Sequence, residues 1–440
     1  MAAPIFCRRK NFVKQKRLYQ YIVPNILAMV GMSCYILADT FFIAMAQGTN
    51  GITALNLTLP IYGLIFAIGS MIGTGSAIRY TLANATGQPQ AKNYFSNALL
   101  WDVIISLLFI AAGIFFPGQV MRVMGADATI EAIGVPYIRI VLCFTPFFMM
   151  NYAFTAFVRN DNAPHIAMAA TLLSSLFNII FDYVFMFPLG MGMPGAALAT
   201  AISPIVSILI CLVHYLSPKS SVSFHFIVPS IKMLISSCSL GVVAFVGEIA
   251  SGITTMVFNF VLLGLDGNTA VAAYGVIANT ALVGTAIFNG VSQGLQPLAS
   301  EAHARGDAHE KRQILTKSVF TGIVLAVVLI GGVWIFAAGI TDVFNSEHSA
   351  QLAAYAIPGI RIYFAGFFAA GINIICAGFL SATDHAKESS IVAITRGIVA
   401  IIVFALVLPK FLGITGVWLA FPAAEVFTLL LTIAMGKKLS

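Results

Sequence analysis

Long apolar runs recur along the whole chain, and each is close to the length that crosses a lipid bilayer as a helix. A hydrocarbon core about 30 Å thick takes about 20 helical residues at about 1.5 Å of rise each. Twelve such runs are predicted, over residues 20–46, 53–78, 95–117, 133–158, 166–187, 194–216, 238–263, 270–296, 314–338, 351–380, 389–409 and 414–435. Backbone polar groups in lipid must be satisfied within each segment, so the fold class is an all-α membrane protein. Only 9% of the residues are charged and 59% are hydrophobic, a balance that excludes a disordered chain. The 35 Phe residues also exceed what one soluble core could hide, which leaves the lipid bilayer as the partner and nucleic acid as none.

The net charge of +7 then reads as orientation in the bilayer. Loops rich in Lys and Arg stay on the cytoplasmic side. With the N-terminus inside, 18 of the 23 basic residues fall on inner segments, six of them between Arg8 and Arg17, and only Arg122 and Lys410 fall outside. Both termini are therefore expected in the cytoplasm. The basic start imitates a signal peptide, but the run behind it is long enough to span and no small-residue cleavage site interrupts it early. The six Cys residues show no CxxC spacing, and five lie in apolar runs, where they read as small hydrophobes.

The two halves repeat. Val135-Pro136-Tyr137-Ile138-Arg139-Ile140 returns as Ile357-Pro358-Gly359-Ile360-Arg361-Ile362 at an offset of 222, which also brings Asn151 onto Asn373. Pro188, Gly192, Gly195 and Ala199 meet Pro409, Gly413, Gly416 and Ala420 at 221, and Gly75, Ala83 and Gly87 meet Gly294, Ala302 and Gly306 at 219. The offset spans six helices, an even number, so the repeats share one topology and are related by a pseudo-two-fold axis along the membrane normal. The expected organisation is an N-lobe over residues 1–216, a cytoplasmic linker over 217–237 that lies along the membrane surface, and a C-lobe over 238–440. Two six-helix bundles facing one another are the architecture of an alternating-access carrier, with the solute path between them.

Several motifs carry a more specific likeness. Gly290-Val291-Ser292-Gln293-Gly294-Leu295-Gln296-Pro297 closes the eighth run, Asn178 and Asp182 share the fifth, Pro194-Gly195-Ala196-Ala197 opens the sixth, Pro24 and Asp39 share the first, and Arg159-Asn160-Asp161 ends the fourth. On these residues the chain resembles the multidrug and toxic compound extrusion (MATE) transporters over essentially its whole length, particularly their bacterial multidrug-export branch. The resemblance implies twelve helices in two lobes, export of organic cations and drugs, and coupling to inward flow of H⁺ or Na⁺. One departure stands out: many members begin the seventh helix with Gly-x-Pro and a kink, whereas this chain has Gly241-Val242-Val243.

An ionisable group inside a membrane is costly, so each intramembrane acid is a functional candidate. Asp39 lies 15 residues beyond Pro24, or about 22 Å into the outer half. Asp182 climbs about 24 Å from Ile166, and Thr200 descends about 9 Å from Pro194 to the same layer. Asn178 is one turn below Asp182 on the same face. The resemblance makes Asp39, Asn178, Asp182 and Thr200 similar to the proposed cation-binding group of the family's N-lobe. Two close carboxylates in a low-dielectric site cannot both remain ionised cheaply, so the pair would take up a proton jointly, or Asp39 and Asp182 would hold Na⁺ with hard oxygen ligands. No other cofactor is expected. A potential of about 150 mV is worth about 3.4 kcal/mol per charge, enough for roughly a 300-fold gradient of a neutral solute.

The bland alternative for Asp39 is an interfacial residue near the end of its helix, a position the helix dipole disfavours. At an offset of 221, Val399, Val403 and Phe421 stand where Asn178, Asp182 and Thr200 do, and Asn259 lies opposite Asp39 after a one-residue shift, so ion coupling is expected mainly in the N-lobe. Glu248 either contacts substrate or ion, or pairs with Arg396 or another helix; Glu425 is a similar candidate. Asp102 is expected to anchor the inner mouth of the third helix, and Arg139 and Arg361 to brace neighbouring helices. Candidate substrate contacts are Tyr35, Asn151, Glu248, Gln293 and Gln296, with Asn151, Gln293 and Gln296 equally suited to helix-to-helix hydrogen bonds. Aromatic and Met side chains between them would admit amphipathic organic cations.

Other classes fit less well. No GxxxxGK[ST] phosphate loop appears, and His309-Glu310-Lys311-Arg312-Gln313 lacks the second His of a zinc protease, so no enzyme is expected. A lipid or glycolipid flippase of the same broad fold is the alternative, and its cleft should be strongly basic. A passive channel could not accumulate a dye against its gradient. The expectation is a monomeric secondary active transporter of a bacterial inner membrane, exchanging organic cations for H⁺ or Na⁺ by alternating access.

Overall fold

The computed structural model describes residues 3–344 and 349–439; the basic side chains counted above before residue 17 and after residue 435 lie outside those described. Ten straight apolar helices and two bent pairs give twelve spans, each bent pair counted as one. In chain order they are α1 (Arg17–Gly48), α2 (Asn50–Ala85), α3 (Pro89–Phe115), α4 (Ala128–Cys143 and Thr145–Asn160), α5 (Pro164–Met186) and α6 (Met193–Tyr215). The second set is α7 (Ile231–Gly267), α8 (Thr269–Ala304), α9 (Ala308–Phe344), α10 (Ala350–Ala365 and Phe367–Ala382), α11 (Ala386–Val407) and α12 (Pro409–Met435). An even number of spans returns both chain ends to one side, here called the near end.

The helices are inside-out by the standard of soluble proteins. On α5, Leu173, Leu176, Ile180 and Tyr183 face outward, while Ser175, Asn178, Asp182 and Met186 are buried at the same helical spacing. Lipid accepts the apolar stripe, and the polar stripe is left for the protein interior.

The repeat is written in the backbone. Left-handed residues recur in both halves at the offsets of the sequence blocks: Gly48 and Gly267, and Gly87 and Gly306, are 219 residues apart, Gly192 and Gly413 are 221 apart, and Asn162 and Asp384 are 222 apart. The bends in α4 (47°) and α10 (41°) also fall 222 residues apart, at Phe144 and Gly366. At the first, Pro146 removes a backbone donor. At the second, a side chain on Gly366 would meet Phe421 and the Pro422 Cα within 3 Å, so glycine lets α12 approach the bend.

Three apolar clusters place the lobes. One fills α2–α6 and reaches from Ile43 to Val222; a second fills α7–α12 between Phe258 and Ala424. The third joins them, packing Leu18, Tyr21 and Ile22 of α1 against Val291, Leu295 and Leu298 of α8, all toward the near end. The lobes therefore meet at the near end.

Three expectations need correction. The eighth run does not exit at Gln296-Pro297 but continues to Ala304, because Pro297 removes one backbone bond without breaking a helix held on both sides. The expected linker 217–237 is shorter, since α7 starts at Ile231 behind a Ser230 cap that accepts from the Met233 amide. Its backbone is fastened to the N-lobe at Ser96, Asn97 and Asp161, with Phe226 and Val228 pointing outward. As the absence of Gly-x-Pro suggested, the helix has no non-helical residue at Gly241, which lacks a Cβ and sits directly on the Met71 backbone of α2. Finally, Arg139 and Arg361 brace nothing among the described residues; both are exposed, and only the Arg361 carbonyl is used, by Trp334 Nε1 at 2.8 Å.

Candidate functional site

Three helices bring the four predicted N-lobe residues together. Asn178 and Asp182 sit one turn apart on the buried stripe of α5, and both are fully buried. Thr200 faces them from α6, with the Asn178 amide donating to its hydroxyl at 3.1 Å. Asp39 comes from α1, and its carboxyl lies within hydrogen-bonding reach of Asp182. The helix runs nine residues beyond Asp39 to Gly48, about 14 Å, so Asp39 is inside the helix rather than at its end.

The polar atoms here are left open. Asp39 Oδ1, both Asp182 carboxylate oxygens and Asn178 Oδ1 are buried without a protein donor. Two facing carboxylates have no hydrogen to share, and an unpaired buried carboxylate costs several kcal/mol, so their approach calls for a proton or a small cation between them. Two carboxylates, an amide oxygen and a hydroxyl fit H⁺ or a hard monovalent ion such as Na⁺. Among the described residues no group of three or more His, Cys, Asp or Glu forms a site for a more demanding metal. An Asn178→Ala variant removes one open acceptor and frees Thr200; the coupling-ion concentration for half-maximal export should rise about tenfold, as expected for about 1–2 kcal/mol. Transport rates against pH and against Na⁺ would read this shift.

Aromatic hydroxyls surround the acids. Tyr35, one turn before Asp39, lies within electrostatic reach of Asp39, Asp182 and Glu248. Tyr62 and Tyr137, whose hydroxyls are 3.4 Å apart, face the same pair from α2 and α4. Neither stands out in the sequence, where a Tyr in an apolar run looks like any other aromatic.

The remaining predicted contacts divide. Glu248 on α7 accepts from Tyr152 of α4 at 3.2 Å, so it reaches across to the N-lobe; the side-chain oxygen of Asn151, the preceding residue on α4, is buried without a partner among the described residues. The Arg396 pairing open to Glu248 belongs instead to Glu425, at 2.7 Å, and the Asn373 amide completes that site at 2.9 Å. Glu425 is therefore an internally neutralised acid.

Gln293 and Gln296 do not join the acids. Gln293 accepts from Arg159 Nη1 at 2.8 Å across the near-end seam, and Gln296 is buried by Gly378 of α10. The repeat-derived partners also need a shift. Val399 and Val403 are about half exposed, while Ala400 is buried, because residues 395–399 form a π-helical turn. A π turn inserts one residue and rotates the rest of the helix by about 100°, so Ala400, at 222 from Asn178, takes the inward place.

Arg159 belongs to a second constellation that the sequence did not reveal. Four consecutive side chains at the end of α4 each reach a different neighbour. Arg159 donates to Asn25 and Gln293, Asn160 accepts from Thr81, and Asn162 accepts from Arg17 and Tyr21. Asp161 holds His214 at 2.8 Å and Ser220 and the Ser221 amide of the linker at 3.0 Å. With the ion pairs Arg17–Glu301 (2.9 Å) and Arg79–Asp384 (2.8 Å), this turn closes the near end.

Comparisons with known proteins bear on the family and the fold. The MatE family model matches residues 24–184 and 244–407. A multidrug export protein, MepA, of Staphylococcus saprophyticus is 26% identical, with 91% of this chain and 89% of that protein covered. MepA of a Staphylococcus aureus strain is 25% identical with the same coverage. A solved outward-facing conformation of a multidrug resistance MATE family transporter superposes with a TM-score of 0.87 at 19% identity, covering 97% of this chain and 95% of that one. A MATE crystal structure in complex with MaL6 gives 0.90 at 19%, covering 97% and 96%.

Proposed function

The chain belongs to the MatE family, and from that premise we propose that it is a secondary active multidrug efflux transporter, expelling amphipathic organic cations in exchange for inward H⁺ or Na⁺. The observation that carries this reading is the Asp39–Asp182 pair of the N-lobe, buried with carboxylate oxygens that no protein donor reaches. The loop charges support reading the near end as cytoplasmic, and on that reading a chain sealed at the near end is in an outward-facing form.

The cycle follows from electrostatics. A proton or Na⁺ arriving from outside neutralises the pair, removes its attraction for a cationic substrate and lets the polar stripe of α5 close against α1. Substrate leaves outward, the lobes rock, and the ion departs to the cytoplasm. Tyr35, Asn151 and Glu248 line the route between the acids and the opposite lobe, where an aromatic ring and a carboxylate attract a cation. Gln293 and Gln296 serve the closed seam in this state and meet substrate only when the near end opens. The protein is read as a monomer without a resident cofactor.

The flippase alternative calls for a basic cleft, whereas Arg396 is neutralised by Glu425, Arg159 is held in the seam, and Arg139 and Arg361 face outward. Purified protein in vesicles, given a pH or a Na⁺ gradient separately, should drive ethidium uphill with one of the two. Movement with neither gradient overturns the reading, and transfer of a labelled lipid would favour the flippase.

A further inference from the structure

A third acid of the N-lobe stands apart from the coupling pair. Asp102 does not anchor the mouth of α3 as its sequence position suggests: it lies nine residues past Asn93, about 14 Å inside, and is fully buried with neither carboxylate oxygen partnered. It sits on an inward stripe with Phe95, Ala98 and Ser106, opposite the exposed Leu107 and Leu108. Asp102 thus belongs to the near end, whereas Asp39 and Asp182 belong to the far half.

Besides α2 and α4, the neighbours of α3 include the foot of α7, the first helix of the other lobe. Cys238 of α7 lies within electrostatic reach of Asp102, and the neighbouring Ser237 backbone presses so closely on Gly75 of α2 that no side chain fits between them. Ser237 is itself fully buried, and its hydroxyl has no partner among the described residues. Two bonds hold the entry to this helix against α3: the His225 amide to Ser96 Oγ at 2.8 Å and the Ser230 amide to Asn97 Oδ1 at 2.7 Å.

Among the described residues no charge is available to neutralise Asp102. Arg79 of α2 is turned to the Ser236 carbonyl and Asp384, Arg159 of α4 to Asn25 and Gln293, and Asp161 to His214. Arg139 of α4 and Lys232 of α7 are exposed, and the titratable group that faces it from α7 is the Cys238 thiol. A bare carboxylate in such a place has lost its water and gained no donor, so the closed near end accommodates the acid form only.

We propose that Asp102 is a second proton-binding site, on the cytoplasmic side of the N-lobe, which takes up one proton as the foot of α7 closes over α3 and returns it to water when the lobes part there. The proton leaves the carboxyl oxygen as the cover lifts, and one negative charge remains on Asp102. Closure of the near end then becomes linked to proton binding independently of whichever ion the Asp39–Asp182 pair carries.

The test uses the full-length chain in the Asp39→Asn, Asp182→Asn background, so that failure of the coupling reading does not touch it. At about pH 8, where exposed carboxylates are ionised, infrared spectra should show protonated carboxyl absorption that loses one equivalent on adding Asp102→Asn. Spin labels across the near end should report opening as the pH rises from about 6 to about 9, and Asp102→Asn should at least halve that response. An unchanged carboxyl band, or an undiminished response, overturns the proposal. If the substituted protein does not fold, reaction of the unsubstituted chain with a hydrophobic carbodiimide, which attacks protonated carboxyls in apolar surroundings, decides it. Asp102 should carry the adduct at about pH 8, and an unmodified Asp102 peptide in the mass spectrum counts against the site.

Discussion

An Asp39→Asn, Asp182→Asn double variant in vesicles is expected to leave a cationic dye at equal concentration on both sides, however steep the imposed ion gradient. The physical reason is that the amide side chain keeps the shape of the carboxyl but has no proton or cation to exchange. With one charge moved per cycle, about 150 mV supports roughly a 300-fold accumulation, and the variant should reduce this to about unity. Dye binding should survive in part, because Tyr35, Asn151 and Glu248 remain. The single variants should differ: Asp182, buried completely and open at both oxygens, should lose most of the uphill transport, and Asp39, marginally accessible, somewhat less. Full gradient-driven export by the double variant would remove the N-lobe pair from the coupling mechanism.

A Gly290→Leu variant is expected to hold the near end open. In the present conformation α8 lies on α1 at backbone distance: a Cβ on Gly290 would stand 2.5 Å from the Ile26 Cα, and one on Gly294 2.7 Å from the Ile22 Cα. Backbone atoms cannot give way as side-chain tips do, so the substituted helix must retreat. Overpacking of this kind typically costs about 1–3 kcal/mol or more, which moves the balance between outward- and inward-facing forms by about 10- to 100-fold. Retreat also separates Arg159 from Gln293 and Arg17 from Glu301, so the seam should open as a unit. Distances between spin labels on α1 and α9 at the near end should lengthen, and steady export should fall because the cycle stalls inward. Gly290→Ala should show the same direction with a smaller amplitude. Distances unchanged in the leucine variant would mean that the two glycines do not set the seam.

The glycines also explain a motif. Gly290-x-x-x-Gly294 spaces two residues without side chains on one face of α8, the arrangement that lets membrane helices touch along their backbones. Gln293 between them is aimed at Arg159 by that approach. The signature was legible as a motif, but its use as the closing seam was not, because Arg159 is 134 residues away and no local pattern announces the pairing.

The N-lobe acid layer was within reach of simple arithmetic. Helical rise counted from the start of each apolar run gave the depth, and the turn of the helix put Asn178 and Asp182 on one face. Counting along the chain failed where helix geometry changed. The π turn at residues 395–399 displaced the repeat partners of α11, and Pro297 did not end α8 where the apolar run suggested. Asp102 illustrates the other limit: its position on α3 is plain from the chain, but the foot of α7 that approaches it comes from the second half.

Hydropathy and the 219–222 offsets between the halves were enough to determine twelve spans, two lobes and their parallel relation, because each span answers to the bilayer and each repeat to its own copy. Helix packing decided which acids are paired, which are neutralised and which are left without a donor. Asp182 faces Asp39, Glu425 faces Arg396, and Asp102 faces no charge among the described residues, although all are lone acids in apolar helices. The difference lies in what each side chain meets across the interior, and that is set by helices that are neighbours in space and distant in sequence.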